Sequence, residues 1–274
     1  MIIFILLSLT HLNLPYNGKL LLSGTAASSN TEKPENLFWN PAGMGGNAYL
    51  ASAFNYSGVL FGSFGKTWKF NSTNLGLGVQ LMSSETLTKT SPTGTPIGTF
   101  NYQSAIPLIA GNFEIKKFII GAKILFPYTT VDEYKSYGLG ADLGVIYSLN
   151  DIITFSTYLR NFGNEIEPFI SEKEEFPVDI RLGGLLEKDK SAFSLEYSSL
   201  LGICSFFSYD LNKILGFTIG YNSKIAKFNG IETSALKGFT FGVNIKYKKM
   251  TISAGILMSG PEGLAETISI CFIH

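Results

Sequence analysis

From residue 47 onward, apolar and non-apolar positions alternate with a period of two. Leu75, Leu77, Val79 and Leu81 alternate with Gly76, Gly78, Gln80 and Met82, and Phe239, Phe241, Val243 and Ile245 alternate with Thr240, Gly242, Asn244 and Lys246. The longest run sets Tyr137, Leu139, Ala141, Leu143, Val145 and Tyr147 against Gly138, Gly140, Asp142, Gly144, Ile146 and Ser148. Successive side chains of a strand point to opposite faces, so each segment has one greasy wall and one small or polar wall. The pattern predicts about fourteen strands, at 48–56, 59–70, 75–87, 97–115, 118–127, 134–149, 152–162, 178–186, 192–200, 204–210, 215–221, 236–247, 251–258 and 266–272. Every second connection is short and polar, as at Asn71–Asn74, Lys116-Lys117, Asn150-Asp151 and Lys248-Lys249, while the interleaved set holds the long ones. Short turns on one side and long loops on the other are the signature of an outer-membrane barrel. The fold expected is all-β, a closed antiparallel transmembrane β-barrel over 47–274.

The chain before it lacks this alternation. Ile2–Leu9 is an apolar run of signal-peptide length, too short to span a bilayer as a helix, and residues 1–16 are assigned to a leader although no Lys or Arg precedes the run. Residues 17–46 form a small polar segment ending in the turn Asn40-Pro41-Ala42-Gly43. Proline fixes φ there, Asn40 before it is pushed from the α region, and the glycines relax the steric limits, so the chain turns sharply.

Composition supports a barrel. Charged residues are 15%, mean hydropathy is +0.21, and Gly (29), Phe (22) and Tyr (13) are abundant, yet no continuous apolar run reaches the length of a membrane helix. A formal net charge of zero without a basic cluster gives no footprint for nucleic acid. Cys204 and Cys271 have no metal-ligand spacing and are expected as small strand residues. Only His11 and His274 are present, so neither a Ser/His/Asp triad nor a multi-histidine metal site can be assembled. The expectation is a protein without enzymatic activity, cofactor or metal. By alternation Lys123, Asp142, Asp179, Arg181 and Lys246 fall on the non-lipid wall. They are expected to brace the plug across the interior, because an unpaired buried charge is costly, or else to orient a ligand's head group. Glu165, Glu167, Phe169 and Glu172 belong to an acidic external loop over 163–177, either merely solvated or a docking site for a partner or divalent cation.

The aromatic-flanked run Phe38-Trp39-Asn40-Pro41-Ala42-Gly43-Met44 followed by a barrel pattern resembles the N-terminal signature of the PorV/PorQ family, itself related to FadL-type outer-membrane transport barrels. Gly138–Tyr147, Arg160-Asn-Phe-Gly163 and Phe176–Gly184 continue the likeness. The resemblance implies that residues 17–46 fold inward as a plug, against the simpler alternative of an arm packed under the barrel. It implies a bacterial outer-membrane location and one of two roles. The first is a component of a type IX-like secretion or surface-attachment apparatus, binding secreted cargo or secretion-system proteins through its outer loops. The second is FadL-like passage of hydrophobic small molecules, with Pro107 and Pro127 as candidate kinks for an opening in the wall. An anchor without a transport path is a third. A closed barrel predicts that the protein migrates as a compact species in cold detergent and shifts only after boiling; unchanged migration would rule the barrel out.

Overall fold

A computed structural model of the chain describes residues 11–12, 15–56, 58–169, 173–226, 236–259 and 264–274. Seventeen strands are present: β1 Ala48–Tyr56, β2 Val59–Phe70, β3 Thr73–Ser84, β4 Leu87–Thr90, β5 Pro96–Phe100, β6 Tyr102–Ile115, β7 Phe118–Leu125, β8 Tyr128–Val131, β9 Tyr134–Ser148, β10 Ile153–Glu167, β11 Asp179–Lys188, β12 Ser191–Ser198, β13 Gly202–Asp210, β14 Leu215–Asn222, β15 Phe239–Tyr247, β16 Met250–Met258 and β17 Leu264–Ile273. β4 and β5 pair only with each other, as a hairpin above the wall. β7 and β8 lie end to end between β6 and β9, so they fill one place in the wall. The wall is therefore a closed 14-strand antiparallel barrel, shut by β1 on β17.

Closure follows from the solvent. Nothing in hydrocarbon can satisfy an open row of N–H and C=O groups, so the sheet must end on itself. The outward positions are Leu60, Phe64, Leu75, Leu77, Leu139, Leu143, Ile180, Leu182, Leu195 and their neighbours, all exposed and apolar, while the alternate residues point into a filled interior. This apolar outer band on a barrel of even strand number is that of a bacterial outer-membrane protein. The short turns carry non-glycine residues at positive φ, at Asn71, Lys116, Asp189 and Lys248, the backbone that two-residue hairpin turns demand.

Three sequence-based boundaries change. β8 was expected as loop, because Phe126-Pro127 interrupts the alternation and only Tyr-Thr-Thr-Val follows. β4 and β5 leave the strand that was expected to run over 97–115 and the end of 75–87. β10 was expected to stop at Phe162 but continues to Glu167. The cause is a bulge: the β9–β10 register slips between Leu159 and Phe162, with Asn161 at φ 56, so that Arg160 and Asn161 both turn inward and the alternation changes phase. Neither candidate proline opens the wall. The β3–β6 register runs unbroken past Pro107, and at the β7–β8 break the Phe126 N–H donates to the Pro107 carbonyl at 3.0 Å.

Inside the wall, a one-turn helix α1 (Gly18–Leu22) and two 3-10 turns (Pro34–Phe38 and Pro41–Gly43) form a plug that packs on β1–β3, β6, β7, β9 and β14–β17. The second short helix, α2 (Ser223–Ala226), follows β14. The plug sits close because the wall beneath it has no side chains. At Gly144 a Cβ would lie 1.8 Å from the Asn40 Oδ1, and at Gly121 it would lie 2.3 Å from the Ala42 nitrogen. Neighbouring residues of β9 thus make opposite predictions. Leu143→Arg, on the lipid face, is expected to cost about 2–4 kcal/mol of barrel stability, read from denaturant unfolding in detergent. Gly144→Val is expected to leave the boiling shift intact while exposing residues 17–46 to added protease; resistance equal to wild type would mean that the plug does not seat on Gly144.

Candidate functional site

The plug turn is built residue by residue for its seat. The Asn40 side chain accepts from the Ala42 N–H at 3.1 Å and donates to the Ser28 carbonyl at 2.6 Å, so it caps one turn and ties it to the preceding one. Pro41 takes the first helical position, where an N–H has no partner to lose. Ala42 fits between Gly121 and Gly144, and a Cβ on Gly43 would stand 2.0 Å from the Asn30 carbonyl oxygen. From the wall, the Asn112 amide on β6 lies 2.6–3.0 Å from the carbonyl oxygens of Pro41, Ala42 and Met44. All four residues singled out in the turn are buried.

Trp39 is the centre of the site. Its ring is fully buried, with the guanidinium of Arg160 4.3 Å and that of Arg181 4.4 Å from its centroid. Its carbonyl accepts from the Tyr158 hydroxyl at 2.7 Å and the Lys123 ammonium at 3.1 Å. The cations are matched by carboxylates on the wall. Lys123 pairs with Asp142 at 2.6 Å, which also accepts from the N–H of Asn161 and competes with the Trp39 carbonyl for the single proton of the Tyr158 hydroxyl, 2.8 Å away. Arg181 pairs with Asp179 and Glu196, each at 2.6 Å, and donates to the Thr25 carbonyl at 2.8 Å. Glu196 in turn accepts from the Ser28 N–H at 3.0 Å.

Four of the five charges predicted to face inward therefore meet in one buried network that grips the plug. The fifth does not: Lys246 is near the short-turn rim, half exposed, and pairs with Asp210 at 2.5 Å. Alternation alone also marks Glu196, whose neighbours Phe193, Leu195 and Tyr197 face lipid. Arg160 is in phase with Ser156 and Tyr158, so alternation marks it as inward too; the bulge shifts the phase only after it, at Asn161. Within the plug itself, Lys19 and Glu35 form an ion pair. Burial opposes ionisation of Glu35, but the Lys19 ammonium holds its carboxyl below the ordinary range.

The acidic segment is not the free loop that the sequence implied. Glu165 is a buried residue of β10 that accepts from the Ser136 hydroxyl and from the Glu174 N–H. Glu167 is exposed at the end of β10 and Phe169 is half-buried; Glu172 lies outside the described residues. Phe176 folds back into the interior against Gly138 and Gly140.

Above the plug the lumen is apolar and aromatic. Leu50, Phe54, Phe61, Met82, Tyr102 and Ile106 belong to one buried cluster, with Phe54 stacked on Phe61 at 4.7 Å. Its occupants among the described residues come from the segment assigned to the leader. Leu12 is buried there, the ring of Tyr16 stands edge-on to Phe61 at 5.4 Å, and His11 lies 3.3 Å from both the Tyr102 and Ser104 hydroxyls. Among the described residues the buried Tyr16 hydroxyl has no hydrogen-bond partner, and burial pushes its pKa well above the ordinary value. Among the described residues no group of three or more His, Cys, Asp or Glu is placed to hold a metal, and Cys204 and Cys271 are separate buried thiols.

The ion network carries its own test. Asp142→Leu strands Lys123 and is expected to destabilise the folded barrel by about 3–5 kcal/mol, whereas Lys123→Met with Asp142→Leu recovers most of that loss. Thermal gel-shift midpoints measure both; a double variant as unstable as the single one would show that the pair does more than neutralise itself.

Comparison with protein-family models finds no match, and comparison with curated protein sequences finds none either. The likeness is structural. The chain superposes on the Ralstonia pickettii toluene transporter TbuX with a TM-score of 0.62 at 10% identity, covering 94% of this chain and 98% of that one. For the Pseudomonas putida toluene transporter TodX the TM-score is 0.62 at 13% identity, over 92% and 95%. For a Pseudomonas aeruginosa FadL homologue it is 0.55 at 8% identity, over 90% and 96%. The shared property is the fold, a FadL-like barrel; membership of the PorV/PorQ family is not shown.

Proposed function

We propose that this barrel is a passive channel for small hydrophobic molecules across the outer membrane, rather than a secretion component. The observation that carries the reading is the aromatic chamber of Phe54, Phe61, Met82, Tyr102 and Ile106 above the plug, filled by residues 11, 12 and 16. Such a chamber takes an apolar ligand by burial alone, at about 25 cal/mol per Å² removed from water. That filling belongs to the expected leader and is imperfect, since among the described residues the buried Tyr16 hydroxyl has no partner, at a cost of about 1–3 kcal/mol that an apolar molecule there would not carry. The solved toluene transporters of the same fold support this ligand class. The secretion reading needed an accessible loop at 163–177, and Glu165 and Phe176 of that stretch are turned inward.

Passage past the plug requires the Trp39 network to loosen, because Trp39 and the charge pairs around it are buried where the plug meets the wall.

The test is accumulation of a labelled monoaromatic hydrocarbon by cells with an intact lipopolysaccharide leaflet, with and without the barrel. Uptake is expected to rise with the wild-type chain and to fall back for Met82→Trp, which fills the chamber. Equal uptake with and without the barrel would overturn the proposal.

A further inference from the structure

The outer face of the barrel carries a second hollow. Of about 520 Å³, it opens on the wall formed by β1, β2, β3, β6 and β8; its lipid-side lining includes Ala53, Leu60, Gly62, Phe64, Leu81 and Tyr128, and Phe61 and Met82 of the lumen chamber border it from within. Alternation places the first six side chains, or the hydrogen of Gly62, on the lipid side. The hollow exists because small residues lie among large ones: Ala53 pairs with Gly62, and Leu60, Phe64 and Leu81 stand around them.

Further down the same face of β2 comes a cation. Lys66 follows Phe64 on the lipid side, where a charge is out of place. Its ammonium lies 4.6 Å from the ring centroid of Tyr49 and 5.0 Å from that of Trp68. Tyr49 is the register partner of both Lys66 and Phe272, so the ammonium sits in the aromatic belt at the short-turn end. From Gly62 to Lys66 the strand rises about 13 Å, or about 10 Å along the membrane normal at a tilt of 35–45°. That is close to the depth of one leaflet of an apolar band about 25 Å tall.

We propose that this wall is a binding site for one phospholipid of the leaflet at the short-turn side, its acyl chain in the hollow and its phosphate on Lys66. The bilayer dictates the occupant's chemistry, since a hollow facing hydrocarbon is filled by hydrocarbon. Lys66 dictates its polarity and direction, since an ammonium held between two aromatic rings leaves protons free for an anion at the head-group level. A lipopolysaccharide chain entering from the opposite leaflet would leave Lys66 without a counter-charge.

Native mass spectrometry of the barrel, washed in mild detergent and then mixed with phosphatidylglycerol, tests the site. Wild type is expected to retain one phospholipid, and Lys66→Gln is expected to lower retention about tenfold, the worth of one charge-assisted hydrogen bond. Gly62→Leu fills the hollow from outside and is expected to do the same. Its Cβ meets nothing closer than the Ser52 carbonyl oxygen at 3.6 Å, so the wall can accept it. Lys248→Gln, which removes the cation stacked on Tyr247 elsewhere on the rim, is expected to bind as wild type. The boiling shift, retained in all variants, confirms that each is a folded barrel. Retention unaffected by Lys66→Gln and Gly62→Leu, or of lipopolysaccharide in place of phospholipid, would overturn the proposal.

Discussion

The requirement that every backbone polar group in hydrocarbon be bonded within the protein governs this structure. It forces the sheet to close, and closure creates an interior that must itself be filled. The chain meets both demands from one sequence rule. Alternation puts Leu, Ile and Phe towards lipid and Gly, Ser, Asn and a few charges inward, and the glycines leave room for the plug to lie directly against the wall. The plug then satisfies its own backbone against wall side chains, as Asn112 does for Pro41, Ala42 and Met44.

The charged interior is balanced locally. Lys123 has Asp142, and Arg181 has Asp179 and Glu196, so no carboxylate or cation of these groups is left to pay its desolvation alone. Trp39 converts the arrangement into a clamp, since its ring engages two guanidiniums and its carbonyl engages Tyr158 and Lys123. Here position and orientation of the plug are fixed by discrete polar contacts with the wall.

How much of this the sequence shows depends on whether a feature is local. All fourteen wall strands follow from alternation and turn spacing, and the inward facing of Lys123, Asp142, Asp179 and Arg181 follows from phase alone. β8 was not legible because its four residues follow a Phe-Pro break, and the end of β10 was not legible because the bulge at Arg160 and Asn161 shifts the phase and makes Glu165 look like a loop residue. Partners across the lumen were equally hidden. Nothing near Arg181 in sequence names Trp39 or Thr25, since those contacts are set by the closure of the barrel around a segment far away in the chain. Lys246 shows the converse limit, since correct phase does not tell height along the strand.

The junction between plug and wall has a mechanical consequence. Gly45 and Gly46 lead directly into β1, and β1 forms the closing seam with β17, where the His274 N–H donates to the Asn47 carbonyl at 2.7 Å. The rod inside the hoop is thus spliced to the hoop at its clasp. Tension that draws the plug out of its seat is delivered to one edge of the seam first, and a seam loosened at that edge frees the plug's tether. Assembly meets the same splice in reverse: the segment that fills the interior is already attached to the strand that shuts it, so the pairing of β1 with β17 closes the wall around its own filling.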